Sequence, residues 1–220
     1  MQKLFILYLF LNATISFSQN LEPAVFAKVN TFRHTGFEDN IFADGALGVS
    51  LFSTYWISPK IGFKRIFGNP NDVSFFNETN QELIRSKYKG NVFTVGAKIR
   101  LTKPEDAWLF IWPEYSFGDV KFESSYYKTE DDITRLTLQE RINSKNYNSW
   151  FDLSTGVEFY FDNNERFLTS VYLMYTLMDL GSGFDKLSFE NTTKRPPSKN
   201  NSTIGLGVSI EYCFCKKNQD

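Results

Sequence analysis

Strict alternation of apolar and polar residues recurs along this 220-residue chain. In Asn91–Leu101 the odd positions Phe93, Val95, Ala97, Ile99 and Leu101 oppose the even positions Thr94, Gly96, Lys98 and Arg100. Phe151–Phe161 sets Phe151, Leu153, Val157, Phe159 and Phe161 against Asp152, Ser154, Gly156, Glu158 and Tyr160. Near the C-terminus Ile204, Leu206, Val208, Ile210, Tyr212 and Phe214 alternate with Thr203, Gly205, Gly207, Ser209 and Glu211. Side chains at period two occupy opposite faces, so each segment predicts a two-faced β-strand. Weaker alternation adds Ala24–Phe32, Gly45–Tyr55, Lys60–Phe67, Ala107–Gly118 and Phe167–Met178. The set comes to eight strands, a number and length that suit tilted bilayer-spanning strands of about 9–11 residues.

The connections have a rhythm. Arg33–Asp44, Gly68–Gly90, Asp119–Trp150 and Asp179–Ser202 are long and polar; Trp56–Pro59, Thr102–Asp106 and Asp162–Arg166 are tight. An antiparallel up-and-down transmembrane β-barrel with short periplasmic turns and long extracellular loops produces this alternation. Within the third long connection, Val120, Phe122, Ser124 and Tyr126 alternate with Lys121, Glu123, Ser125 and Tyr127. This predicts that strands five and six project as a hairpin; an amphipathic helix over Asp131–Ile142 is the alternative. A secreted lipocalin-like ligand-binding barrel also has eight strands, but it turns apolar residues inward and carries a Gly-x-Trp absent here.

Residues 1–18 follow another grammar: Lys3, an apolar run Leu4–Leu11, then Ser16-Phe17-Ser18. This is the pattern of a cleaved signal peptide, too short in its apolar core to span a bilayer, with cleavage expected before Gln19. The mature region 19–220 then reads as a single β-barrel domain. Mean hydropathy is low at -0.32, which argues against spanning helices and says nothing against a barrel. Aromatic content of 17% supplies residues for a lipid-facing surface and for interface girdles. Trp56, Tyr55, Tyr212 and Phe214 mark the short-turn end, and Phe32, Phe37, Phe42 and Phe67 the long-loop end. A net charge of -1 excludes a strongly basic nucleic-acid binder.

If the apolar faces meet lipid, the opposite faces fill a lumen just wide enough for side chains. Parity sends Lys28, Lys60, Lys64, Lys98 and Arg100 inward, with Glu114, Asp152, Glu158 and Glu211. Unpaired buried charges are costly, so the near balance predicts mutual pairing and a polar plug. Strand adjacency suggests Lys28 with Glu211, and Lys98 or Arg100 with Glu114. Trp108 and Trp112 share the inward parity and are expected to pack the lumen.

The leader, the eight alternating strands, the loop rhythm and the terminal GLGVSIEYCF resemble the small outer-membrane β-barrel proteins, of the OmpA/OmpX type and the Bacteroidota β-barrel-domain families. The resemblance implies residence in the bacterial outer membrane and insertion by the barrel-assembly machinery, which reads an aromatic-terminated last strand. Here Phe214 is followed by six more residues. It names no catalytic motif. A lipid-modifying barrel enzyme needs a base oriented beside a nucleophile. The lone histidine, His34, has no adjacent serine, so no enzyme, no metal and no cofactor are expected. A narrow channel needs a wider lumen than eight strands leave. The expected roles are structural, or contact with an extracellular protein or surface ligand through loop residues such as Phe75, Phe76, Phe184 and Phe189, by a monomer. Cys213 and Cys215 are read as two thiols beside the last strand, since two cysteines make no disulfide framework.

Overall fold

The computed structural model describes residues 23–34, 41–51, 56–70, 72–76, 81–102, 107–129, 135–162, 165–196 and 203–214. The leader and its cleavage point lie outside these, as do Phe37, Tyr55 and Cys215. Nine strands are present among the described residues: β1 (Ala24–His34), β2 (Ile41–Ser50), β3 (Ile57–Gly68), β4 (Val73–Phe76), β5 (Gln81–Arg100), β6 (Trp108–Thr129), β7 (Leu136–Tyr160), β8 (Phe167–Thr176) and β9 (Thr203–Cys213). One short helix, α1 (Gly181–Asp185), precedes β9.

Every barrel strand pairs antiparallel with its chain neighbours, and two further pairings complete a ring. β1 pairs with β9 from Ala24↔Cys213 to His34↔Thr203, and β3 pairs with β5 from Ile57↔Ile99 to Gly68↔Tyr88. β4 adds only to the outer part of β5, through Val73↔Ile84 to Phe76↔Gln81. The wall is therefore an eight-stranded, closed, up-and-down antiparallel barrel. Closure leaves no open sheet edge around the wall, which is what a strand-built membrane span requires.

The two faces are reversed relative to a soluble protein. Val29, Leu47, Phe93, Leu173 and Leu206 stand outward, Leu47 at 68% exposure, while Lys64 on the inner face is 0% exposed. A lipocalin-type barrel would show the opposite arrangement. Outward aromatics gather at both ends of the apolar belt. Phe167, Tyr212 and Phe214 lie in ring contact near the short-turn rim, where Trp56 is also exposed. Phe63, Phe93, Phe117 and Tyr115 form a contiguous row towards the other end.

Two of the aromatics expected in that upper girdle are elsewhere. Phe32 and Phe42 are buried inside the barrel and stack on one another at 5.9 Å. The reason is parity: both share the face of Lys28 and Asp44. β2 also begins earlier than the alternation over Gly45–Tyr55 predicts, because β1 carries its pairing out to Arg33↔Ile41; residues 52–55 of that segment lie outside the described residues.

β5, β6 and β7 run 20, 22 and 25 residues, about twice the bilayer-spanning length. β6 and β7 stay paired to Thr129↔Leu136, with a register shift at Tyr126/Tyr127. The projecting hairpin is thus strand on both sides, and residues 136–142 are extended, which overturns the helical alternative there; residues 131–134 lie outside the described residues. The segment expected as a loop over Gly68–Gly90 contains β4 and half of β5.

Candidate functional site

The lumen is the candidate site, built from inward residues of all eight barrel strands. Near the short-turn rim, Lys60 on β3 lies 2.5 Å from Glu211 on β9, and Lys98 on β5 pairs with Glu158 on β7. Arg100 reaches the other oxygen of Glu158 at 2.7 Å. Ser170 holds this cluster together, accepting from Lys98 at 2.8 Å and donating to Glu158 at 3.2 Å.

A second cluster sits farther along. The Lys28 ammonium on β1 lies 2.6 Å from Glu114 on β6. Lys64 on β3 bridges Glu114 at 2.6 Å and Asp152 on β7 at 2.7 Å, and it donates to Ser116 at 3.0 Å. The Trp150 indole N–H also donates to Asp152, at 3.2 Å.

Between the clusters stands Trp112. Lys28, Lys98 and Lys60 lie over its ring at 4.3, 5.2 and 5.5 Å, so one buried indole serves three ammonium groups. Phe26 meets it edge-on at 5.7 Å and Tyr172 tilts against it at 6.0 Å. Trp108 is half-buried, with the Arg100 guanidinium 5.5 Å from its ring.

Lys28, Lys60, Lys64, Lys98, Arg100, Glu114, Asp152, Glu158 and Glu211 are all turned inward, but their partners differ from those that adjacency suggests. Lys28 meets Glu114 rather than Glu211, and Glu114 takes Lys28 and Lys64 rather than Lys98 or Arg100. The long side chains extend towards the barrel axis, where acids arrive from walls two to four strands away. Parity reasoning also missed Asp44. It is buried on β2 and accepts from the Asn30 amide at 2.6 Å, while Asn30 accepts from the Tyr172 hydroxyl at 2.7 Å. Its placement in a predicted loop hid it. With Asp44, five acids face the five cations, so the described interior is neutral overall.

The long-loop end is closed differently. Phe32, Phe42, Ile66, Tyr88, Val120 and Phe122 fill the lumen there, and the chain after β8 folds back into the mouth. Met178, Leu180, Phe184 of α1 and Leu187 join the same apolar cluster, with Phe184 edge-on to Phe122 at 5.0 Å. Gly183 is required here, since a Cβ on it would lie 2.2 Å from the Phe122 ring. Phe184 and Phe189, expected as exposed contact residues, are buried instead; Phe76 remains exposed and Phe75 carries Lys194 over its ring at 4.2 Å.

Beyond the mouth, residues 187–194 form a strap along the hairpin. Glu140 accepts from the backbone N–H of Glu190 and Asn191 at 3.0–3.1 Å, and Lys194 pairs with Glu82. The hydrogen bond from Lys194 lowers the Glu82 carboxyl below its ordinary value, as the one from Lys87 does for Glu123. Among the described residues no group of three His, Cys, Asp or Glu side chains is placed to hold a metal ion.

No known family model matches the chain, and no curated protein sequence matches it. Solved structures similar to it include Neisserial surface protein A, with TM-score 0.45 and 7% identity over 88% of this chain and 97% of that one. The attachment invasion locus protein Ail of Yersinia pestis gives TM-score 0.39 and 9% identity over 89% and 99%. The N-terminal β-barrel domain of Pseudomonas aeruginosa OprF gives TM-score 0.36 and 15% identity over 86% and 97%. The closed ring and its two faces stand on the register and burial described above.

Proposed function

We propose that this chain is an integral outer-membrane β-barrel whose lumen is a closed plug and whose projecting hairpin acts at the cell surface, as a structural or surface-contact element. One observation carries the membrane reading: a continuous apolar exterior encloses an interior of paired charges. In water, exposing that many Val, Leu, Ile and Phe side chains on one belt is unfavourable by roughly 25 cal/mol per Å². In hydrocarbon the cost vanishes. Strands β1, β2, β3, β8 and β9, at 10–12 residues, match the belt that a bilayer requires. The short turns and the end of β9 then face the periplasm, and the hairpin faces outward.

The plug reading rests on two barriers in series. The charge clusters and Trp112 occupy the lumen from the short-turn rim to its middle, and the Phe184 segment fills its outer mouth. Surface contact is favoured by the length of β5–β7 beyond the belt, which presents polar faces with no role in spanning. Export with removal of residues 1–18, and insertion by the barrel-assembly machinery, belong to the same proposal. Cell fractionation followed by electrophoresis of heated and unheated samples tests it. A membrane-bound species that migrates faster unheated is expected; recovery as a soluble periplasmic protein would overturn the reading.

A further inference from the structure

We propose that the outward face where β3, β5, β6 and β7 leave the apolar belt binds the phosphorylated headgroup of a lipid in the surrounding outer leaflet. The inference rests on the membrane reading above. It comes from the cross-strand register. The row Phe63↔Phe93↔Phe117 ends the belt, and two residues farther along the outward positions are Arg65↔Asn91↔Asp119↔Tyr147. Two residues beyond that, Lys89 stands directly opposite Lys121, and Lys121 directly opposite Lys145. Like charges in directly opposed positions destabilise a sheet. Three lysines side by side on neighbouring strands are therefore held there against their own repulsion.

The acids of the protein neutralise them only in part. Asp119 takes Lys145 at 2.7 Å, while Lys121 reaches Glu123 only at 4.0 Å. Glu123 is already engaged by Lys87 at 2.9 Å and approached by Arg141 at 3.7 Å. No ion pair joins Lys89 to an acid among the described residues. Arg65, Lys89, Lys121 and Lys145 line one open cleft of about 380 Å³, which Asn91 and Asp119 complete. Four cations against one carboxylate leave a cleft of strong positive potential. A phosphomonoester, carrying between one and two negative charges on three oxygens, suits several ammonium groups at once.

Depth selects the source of that phosphate. Outward positions two apart rise by about 6.6 Å, so the lysine row lies within about 13 Å of the aromatic row, at headgroup level. Basic residues at that depth attract anionic lipid at the short range that screening permits.

The test uses the folded full-length barrel in phosphatidylcholine mixed micelles, titrated with fluorescent lipid A, with its dephosphorylated counterpart and with inorganic phosphate as competitor. Lipid A is expected to bind at least roughly tenfold more tightly than the dephosphorylated form. Lys89→Gln combined with Lys121→Gln is expected to remove about tenfold, and Asp119→Asn to tighten binding a few-fold. Lys121→Gln alone provides the reading that a merely structural lysine would not: weaker lipid binding together with a higher unfolding temperature, because a like-charge contact is relieved. Equal binding of the two lipid forms, or an unaffected double variant, overturns the proposal. Displacement by inorganic phosphate at equal concentration overturns the lipid assignment in favour of a free-anion site. A failure of the membrane reading is seen separately, as the absence of heat-shifted migration before any lipid is added.

Discussion

Lys64 ties two acids of the lumen together. It is fully buried and is the one ammonium shared by Glu114 and Asp152. Replacing it with methionine keeps the volume and removes the charge, leaving Glu114 with Lys28 alone and Asp152 with only the Ser116 and Trp150 donors. Breaking a buried pair in this way costs about 3–5 kcal/mol. Urea unfolding in lipid vesicles measures it, and a loss below about 1 kcal/mol would mean the pair is hydrated. Gly156 offers a steric counterpart. A Cβ there would stand 2.1 Å from the Val171 carbonyl oxygen, which is backbone and cannot swing aside. Gly156→Ala is expected to cost about 1–3 kcal/mol in the same assay. At this scale the direction of each lumen side chain was legible, because period two leaves only two faces. The partners were not, because they depend on which walls lie opposite across the axis. Asp44 was invisible for another reason: its strand began where the polar composition read as loop.

Among the elements, the spanning strands were legible wherever one face was purely apolar, as in Phe93–Leu101 or Ile204–Phe214. The outer half of β5 was not. There Arg85, Lys87 and Lys89 point outward and Ser86 and Tyr88 inward, so neither face carries the apolar run that marks a strand. The extension of β6 and β7 could be read, since Val120, Phe122 and Tyr126 keep the alternation. The infolded segment after β8 could not, because a compact loop has no period. Its strap along the hairpin has a testable pH dependence. Lys194, Tyr126 and Lys128 face Glu82, and the Lys194 hydrogen bond depresses its carboxyl below the ordinary value of 4.5. A depressed acid stabilises the folded strap above that ordinary value and loses the contribution as pH falls through the folded one. Amide hydrogen exchange across residues 187–194, corrected for intrinsic rate, should therefore accelerate below about pH 4.5 in the wild-type protein. Glu82→Gln should flatten that acid-dependent part; an unchanged profile would assign it to other groups.

For the whole molecule, the sequence identified the architecture through the alternation of strands and the long-short rhythm of connections, which together leave few topologies. It pointed to paired charges in the lumen but not to the infolded chain at the long-loop end, because that packing comes from a loop with no period. The plug reading predicts that purified protein in planar bilayers yields no stable single-channel steps. Phe184→Ala, which empties the mouth, should still yield none, since the charge layer remains. Regular conductance steps from the unaltered protein would sink that view.

The cross-lumen pairs bear on how such a barrel can come into being. Four lumen ion pairs join strands that are not neighbours in the sheet, over chain separations of 86, 151, 88 and 60 residues for Lys28–Glu114, Lys60–Glu211, Lys64–Asp152 and Lys98–Glu158. Lys28–Glu114 reaches four strands around the ring and Lys60–Glu211 crosses the β1/β9 seam, so a growing sheet that has not curled shut makes neither. Its ammonium and carboxylate groups would still need water, and a half-assembled sheet could not sink into hydrocarbon without stranding them. On the membrane reading proposed above, entry into the bilayer is expected to be coupled to the meeting of β1 with β9. Under that reading, the lumen charges would favour the completed ring over a half-assembled sheet at the membrane.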